Sequence, residues 1–185
     1  MMSKIVVLVD IQNDFVNGSL GSPEAEAIVP KVIEYLKTLN NHDRLLYTYD
    51  THFEDYLETP EGLNLPVEHC IYGSTGWHQP KELSEAIIQA CEDNTIYAKS
   101  FHKHTFGSDN LVGEIHHFAY VNQNVDEVIF MGLCTDICVI SNVLMVKAFC
   151  PDLKISVKAD CCAGVTPEKH EAALEVMRSC QINII

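Results

Sequence analysis

Short apolar runs of strand length alternate along this chain with segments whose apolar residues recur at helical spacing. "KIVVLVD" (Lys4–Asp10), "RLLYTYD" (Arg44–Asp50), "TIYAK" (Thr95–Lys99), "EVIFMG" (Glu127–Gly132) and "KISVKAD" (Lys154–Asp160) read as strands, with the C-terminal "QINII" as a sixth. Their centres are almost continuously apolar, as in parallel strands covered on both faces. After Pro30, "KVIEYLKTLN" places Val32, Ile33, Leu36 and Leu39 on one helical face, with Pro30 in the first turn. "PKELSEAIIQACED", "SDNLVGEIHHFA", "TDICVISNVLMVKAF" and "PEKHEAALEVMRS" supply the remaining helices. The alternation predicts an α/β fold, a three-layer αβα sandwich on a mostly parallel, six-stranded, doubly wound sheet. No internal repeat, low-complexity tract or linker divides it, so residues 1–185 are expected to form one domain with a sizeable core.

One segment breaks the rhythm. From Thr51 to Pro80 there is no clear periodicity, yet it carries acidic residues, two of the histidines that matter below, the only Trp and "GSTGW". A long excursion in a compact domain is usually functional.

Composition narrows the partners. The formal net charge of −14 disfavours nucleic acid and anionic membrane surfaces and suits a small neutral substrate or a metal cation. The first apolar run is about six residues before an aspartate, too short for a signal peptide. No run nears the roughly 18 residues that cross a membrane. The eight cysteines sit in apolar patterns rather than at regular spacing in loops, which reads as reduced thiols in the cytoplasm.

In open α/β sheets, ligands bind beyond the carboxyl ends of the strands. Those ends carry Asp10, then Asp50 with His52, then Lys99 and Lys103, then "GLCTDIC". An acid, a cation and a thiol are therefore expected to converge on one edge. Cys138 falls in the first turn of a helix that Thr135 or Asp136 would cap. Unpaired N–H groups and the dipole there are expected to lower its pKa and to hold an oxyanion, with the Cys134 N–H completing the cradle. Asp50 and His52, two apart at a strand end, and His69 in "LPVEHC" make three N/O ligands of the kind that hold zinc, iron or manganese in a catalytic site.

"VDIQNDF", "PVEHC", "KHTFGSDNL", "GLCTDICV" and "ADCCAGVTPEKHEAAL" resemble, in order and over nearly the whole chain, the isochorismatase-like cysteine hydrolases, most closely their nicotinamidase branch. The resemblance implies a catalytic triad of Asp10, Lys103 and Cys138 acting through a thioester. Lys103 matches the family lysine with an aromatic three residues on, while Lys99 competes by lying nearer the predicted strand. It also implies a fourth metal ligand, Glu61 in "TPEG", with Glu58 close enough to compete, and an ion, zinc by preference, that orients nicotinamide. Phe15, Trp77 and Phe106 are expected to line an apolar pocket for a flat ring. A homo-oligomer acting on a small neutral amide is implied as well. Two rival readings stay open: a metal-free hydrolase of isochorismate or carbamoyl and ureido compounds, and a non-catalytic binding subunit. His116 and His117 read as surface, His102 and His104 as flanks of Lys103, and His170 as a capping or packing residue in its helix.

Overall fold

The computed structural model describes residues 3–122 and 125–185. Six strands form one sheet: β1 (Lys4–Val9), β2 (Arg44–Asp50), β3 (Tyr97–Lys103), β4 (Glu127–Leu133), β5 (Lys154–Ala163) and β6 (Asn183–Ile184). Their order is β3-β2-β1-β4-β5-β6, and every pairing is parallel. The sheet reverses its winding at β1, so the carboxyl ends of β1, β2 and β4 open the crevice where α/β proteins bind ligands.

Alternation along the central strands builds two cores. Ile5, Val7 and Val9 of β1 face a layer made by α5 (Asp109–His116), α6 (Ile140–Phe149) and α7 (Pro167–Ser179). Val6 and Leu8 face α1 (Asn13–Val16), α2 (Pro23–Leu36) and α4 (Lys81–Asn94). β4 repeats this, with Val128 and Phe130 on the first side and Ile129, Met131 and Leu133 on the second. Period-two side chains that are apolar on both faces need a helical layer on each side.

Three element boundaries correct the sequence reading. Pro30 lies inside α2, not in its first turn; the helix starts at Pro23, where Ser22 caps by accepting the Ala25 N–H at 3.1 Å. β3 runs to Lys103 rather than stopping at Lys99. It is an edge strand with only Phe101 and Lys103 buried, so its apolar pattern is faint. β5 extends to Ala163 across an irregularity opposite Phe130 and Gly132.

The excursion after β2 holds a short turn of helix at Tyr56–Glu58 and α3 (Pro60–Asn64), and His52 bridges Ile71. It folds back over the carboxyl edge of the sheet. Gln12, fully buried, ties it there: its amide donates to the carbonyls of Asp50 (2.9 Å) and Trp77 (2.8 Å) and accepts the Asp50 N–H (2.7 Å). No helix among the described residues is long and apolar enough to cross a membrane.

Candidate active site

β1 ends at Asp10, whose backbone takes a left-handed conformation (φ 48°) that a short polar residue tolerates better than a branched one. The turn aims its carboxyl back under the crevice. Oδ1 accepts the Thr48 hydroxyl at 2.6 Å, and the Asp10 N–H donates to the Thr48 hydroxyl oxygen at 3.2 Å. On the other flank, Gly132 of β4 sits at φ 127°, where a Cβ would lie 2.1 Å from the Val9 carbonyl oxygen. Glycine is required for β4 to deliver the next residues beside Asp10.

Lys103, the last residue of β3, reaches across β2 into this space. Its Nζ lies 2.7 Å from Asp10 Oδ2, 3.1 Å from Asp50 Oδ1 and 3.5 Å from Cys138 Sγ, and its side chain is 1% exposed. Burial opposes the charge, but Asp10, Cys138 and Asp50 together hold Lys103 well above its usual range, so it stays an ammonium. Lys99, the competing lysine, points away and pairs with Glu114 at 2.7 Å on the surface. The Lys103 contact to Asp10 Oδ2 is an ion pair off hydrogen-bonding angle, which leaves that buried oxygen without a directed donor.

Cys138 follows β4. The Leu133–Cys134 peptide is cis, and residues Thr135–Val139 form a wide turn in which the Val139 N–H reaches the Cys134 carbonyl at 3.0 Å. The expected caps are not made. The Thr135 hydroxyl pairs with His170 Nδ1 at 2.8 Å, Asp136 accepts the Val165 N–H at 2.9 Å, and the position before the turn belongs to Cys134. The thiol is not acidified either. Burial pushes Cys138 well above the ordinary thiol value, and Lys103 offsets this only in part against Asp10 and Asp50. The regular helix begins two residues later at Ile140, so the dipole that would favour a thiolate acts further away. At rest Cys138 is a neutral thiol lying against the Asp10 carboxyl.

Asp10 is itself raised by burial and by the Asp50 charge, with Lys103 and Thr48 opposing. Asp50 goes the other way. Burial would lift it, but hydrogen bonds from His52 and His69 and the charge of Lys103 hold it well below the carboxylate range.

The second cluster shares Asp50. One donor atom each from Asp50, His52, Glu61 and His69 lies within 4.8 Å of all the others. His52 Nε2 is 3.0 Å and His69 Nε2 3.5 Å from Asp50 Oδ2, and Glu61 Oε1 is 3.8 and 3.9 Å from the same two nitrogens. His69 engages the Val67 carbonyl through Nδ1 at 2.8 Å, which turns Nε2 inward in the manner of a ligand histidine. Tyr56, fully buried, backs both imidazoles with ring centroids 4.6 and 4.9 Å away. Two imidazoles and two carboxylates converging on one point fit a divalent ion of the zinc type. Glu58 is exposed and stands outside the cluster.

A cavity of about 460 Å³ joins the two clusters. Asp50, Glu61 and His69 line it together with Cys134 and Cys138; Phe15, Phe106, Leu133 and Ile137 supply apolar lining, and Lys169 also borders it. Trp77, expected here, is not among the lining residues. It stacks on Tyr49 (4.9 Å) and donates from Nε1 to Thr51 at 3.0 Å, bracing the excursion against the end of β2. His102 and His104 do not line the cavity either, and His116 and His117 are exposed. Thr48, Gln12, Tyr56 and Asn142 escaped the sequence reading. Asn142 is fully buried and links the two sides, donating to the carbonyls of Cys138 (2.8 Å) and Phe106 (3.1 Å) and accepting the Ser108 N–H (2.9 Å).

These features define an α/β protein whose chemistry lies at the winding reversal of a parallel sheet, with an acid–lysine–thiol group beside a cluster of metal-ligand type. Residues 4–185 match the Isochorismatase domain model, and the chain belongs to that family. It is 26% identical over 186 residues to a nicotinamidase/pyrazinamidase of Mycobacterium tuberculosis, covering 98% of each chain. The fold superimposes on the crystal structure of a Bacillus subtilis nicotinamidase/pyrazinamidase with a TM-score of 0.80 at 23% identity, covering 99% of both chains. A Pyrococcus horikoshii pyrazinamidase solved in complex with zinc gives 0.75 at 24% identity over 98% of both.

Proposed function

We propose that this protein is a metal-assisted cysteine amidohydrolase that converts nicotinamide and water to nicotinate and ammonia. The observation that carries this reading is one cavity lined both by Cys138, which Lys103 joins to Asp10, and by Asp50, Glu61 and His69 of the Asp50–His52–Glu61–His69 cluster, with Phe15 and Phe106 among its walls. A flat ring with a carboxamide on one side and a basic nitrogen on the other suits such a two-ended space. The relatives' names supply the substrate; the geometry supports the reaction type.

In this reading the Cys138 sulfur attacks the carboxamide carbon while its proton passes to Asp10. The oxygen of the tetrahedral intermediate is held by the Cys134 and Cys138 N–H groups. The C–N bond then breaks as Asp10 returns the proton to nitrogen, releasing ammonia and leaving a thioester on Cys138. Asp10 next takes a proton from water, the hydroxide attacks the thioester carbonyl, and the thiol leaves with the proton, giving the acid. Lys103 stabilises whichever of Asp10 and Cys138 is anionic at each stage. A raised Asp10 and a raised Cys138 support transfer within the encounter over a standing thiolate. Asp50, His52, Glu61 and His69 would hold a divalent ion, zinc by preference, which would supply Lewis acidity toward a basic ring nitrogen. The free cysteines support a reducing, cytoplasmic setting, and family likeness carries our reading of one domain per chain in a homo-oligomer.

The test is ammonia release from nicotinamide by purified protein, with and without a chelator, against Cys138→Ala. Release that falls with chelation and vanishes in the variant supports the reading. Silence from a wild-type protein whose Cys138 still alkylates contradicts the substrate and keeps the cysteine hydrolase.

A further inference from the structure

Thr135 and His170 take no part in the chemistry above, yet they meet directly behind it. Thr135 is fully buried at the head of the turn that carries both cradle N–H groups, and its hydroxyl lies 2.8 Å from His170 Nδ1. His170 stands in the first turn of α7, whose start is fixed by Thr166 accepting the Lys169 N–H at 3.3 Å. A second side-chain bond runs parallel to the first, from the Val165 N–H to Asp136 at 2.9 Å. Between the two lies Gly164, where a Cβ would come within 2.8 Å of the His170 backbone nitrogen and 2.9 Å of Asp136 Oδ1. Turn, strand end and helix thus meet at a spacing that only glycine permits.

We propose that His170 is a positioning residue that, through Thr135, holds the 134–138 turn so that the Cys134 and Cys138 N–H groups stay aimed at the oxyanion. It rests on the hydrolase reading given above. The bond fixes the side chain between the two donors without touching substrate, so its loss loosens the cradle and leaves the ring contacts of Phe15 and Phe106 in place. Interactions that strengthen only in the transition state appear in kcat and not in KM. Burial lowers the His170 pKa, which keeps the imidazole neutral and its Nδ1 free to share one proton with the hydroxyl at neutral pH. A second cavity of about 320 Å³ is lined in part by His170, which leaves space beside this position for side chains of other lengths.

The experiment compares His170→Asn, which places an amide atom where Nδ1 was, with His170→Gln, which places it one bond further out, and His170→Leu. For ammonia release from nicotinamide, we expect Leu and Gln to lose about tenfold in kcat with KM changed by less than about twofold. Asn should keep at least about half of the wild-type kcat. Equal losses in all three, an unchanged kcat in Leu, or a loss carried by KM overturns the proposal. Should His170→Leu not fold, Thr135→Val removes the same bond from its other end and is expected to show the same kcat loss, with Thr135→Ser restoring it. Where both single variants fold, the Thr135→Val, His170→Leu double variant should be no worse than either single, and additive losses overturn the proposal. A second probe separates this claim from the choice of substrate. Acetaldehyde adds to a thiol by forming a C–S bond and moving the thiol proton to oxygen, and that oxygen occupies the same cradle. Binding to Cys138 should weaken about tenfold in Leu and Gln and be retained in Asn. If the wild type releases no ammonia from nicotinamide, the substrate reading fails, and the aldehyde arm alone decides for or against the clamp.

Discussion

Asp10 and Asp50 end neighbouring strands, both are buried, and both lie within 3.1 Å of the same ammonium, yet their environments push them in opposite directions. Burial raises each. Asp10 has only Thr48 and an off-angle Lys103 to oppose it, and it faces the Asp50 charge. Asp50 receives two imidazole hydrogen bonds besides Lys103 and ends well below its usual range. The count and direction of donors, and not depth, separate them. A carboxyl that takes a proton readily suits proton transfer; one that stays anionic suits holding a cation. Lys103 lies between and serves both.

Breaking one corner at a time sharpens this contrast. The largest effect is expected at the reacting groups: Cys138→Ala or Asp10→Asn should lower kcat for nicotinamide by about 10⁴-fold or more, as with other members of a catalytic unit. Mass spectrometry and circular dichroism would check that the variants are intact and folded. At the other corner, His52→Ala should weaken zinc binding by at least about 100-fold in a titration followed by calorimetry. It leaves Cys138 alkylation by iodoacetamide within about threefold of wild type, because His52 does not touch the thiol.

Stability in chelator-treated protein separates the two acids next. Asp50→Asn removes the anion that two imidazoles and Lys103 share, and should cost about 3 kcal/mol in urea unfolding. Asp10→Asn should cost less than Asp50→Asn, since burial opposes the Asp10 charge and raises its pKa whereas the Asp50 anion is held by its donors. The pH dependence follows with opposite signs. Asp50, depressed, contributes stability that is present above the unfolded carboxylate range near 4 and is lost as pH falls through its lower folded value. Asp10, raised, takes up its proton more readily folded than unfolded, so its contribution declines as pH rises through the folded value. Urea midpoints between pH 3 and 7 should therefore fall less steeply towards acid in Asp50→Asn than in wild type. The acid limb of kcat/KM should lie above the ordinary carboxylate value near 4. The smallest effect is reserved for the rejected lysine: Lys99→Ala should leave kcat unchanged and stability within about 0.5 kcal/mol.

The layers, the sheet and the acid, lysine and thiol at its carboxyl edge were legible because they are written in local pattern: apolar periodicity, strand-end charge, a glycine before a turn. What was not legible depends on partners brought from afar. The apolar pattern of β3 fades before Lys103 because an edge strand buries so few of its residues, and that is why Lys99 rivals Lys103 in the sequence. Pro30 looked like a helix start because proline favours the first turn, but Ser22 and Pro23 already supply one, and the ring of Pro30 falls inside α2. A low Cys138 pKa followed from its place near a helix start; enclosure and two carboxylates reverse the sign. Thr48, Gln12 and Asn142 carry no motif of their own, and only the fold reveals that Thr48 and Gln12 join the ends of β1 and β2 and that Asn142 joins the segments that follow β3 and β4. Trp77 stands out in the sequence as the sole tryptophan, yet its indole N–H is satisfied by Thr51 away from the cavity.

The central claim is that Cys138 carries the acyl group while Asp10 moves the proton. Acid quenching of wild-type, zinc-loaded protein during turnover of nicotinamide, followed by intact-mass and peptide mapping, tests it most directly. The account predicts one nicotinoyl group per chain, on Cys138, absent in Cys138→Ala. Rapid turnover with no adduct in the quenched protein, or an adduct on Cys134 or another residue, would contradict it.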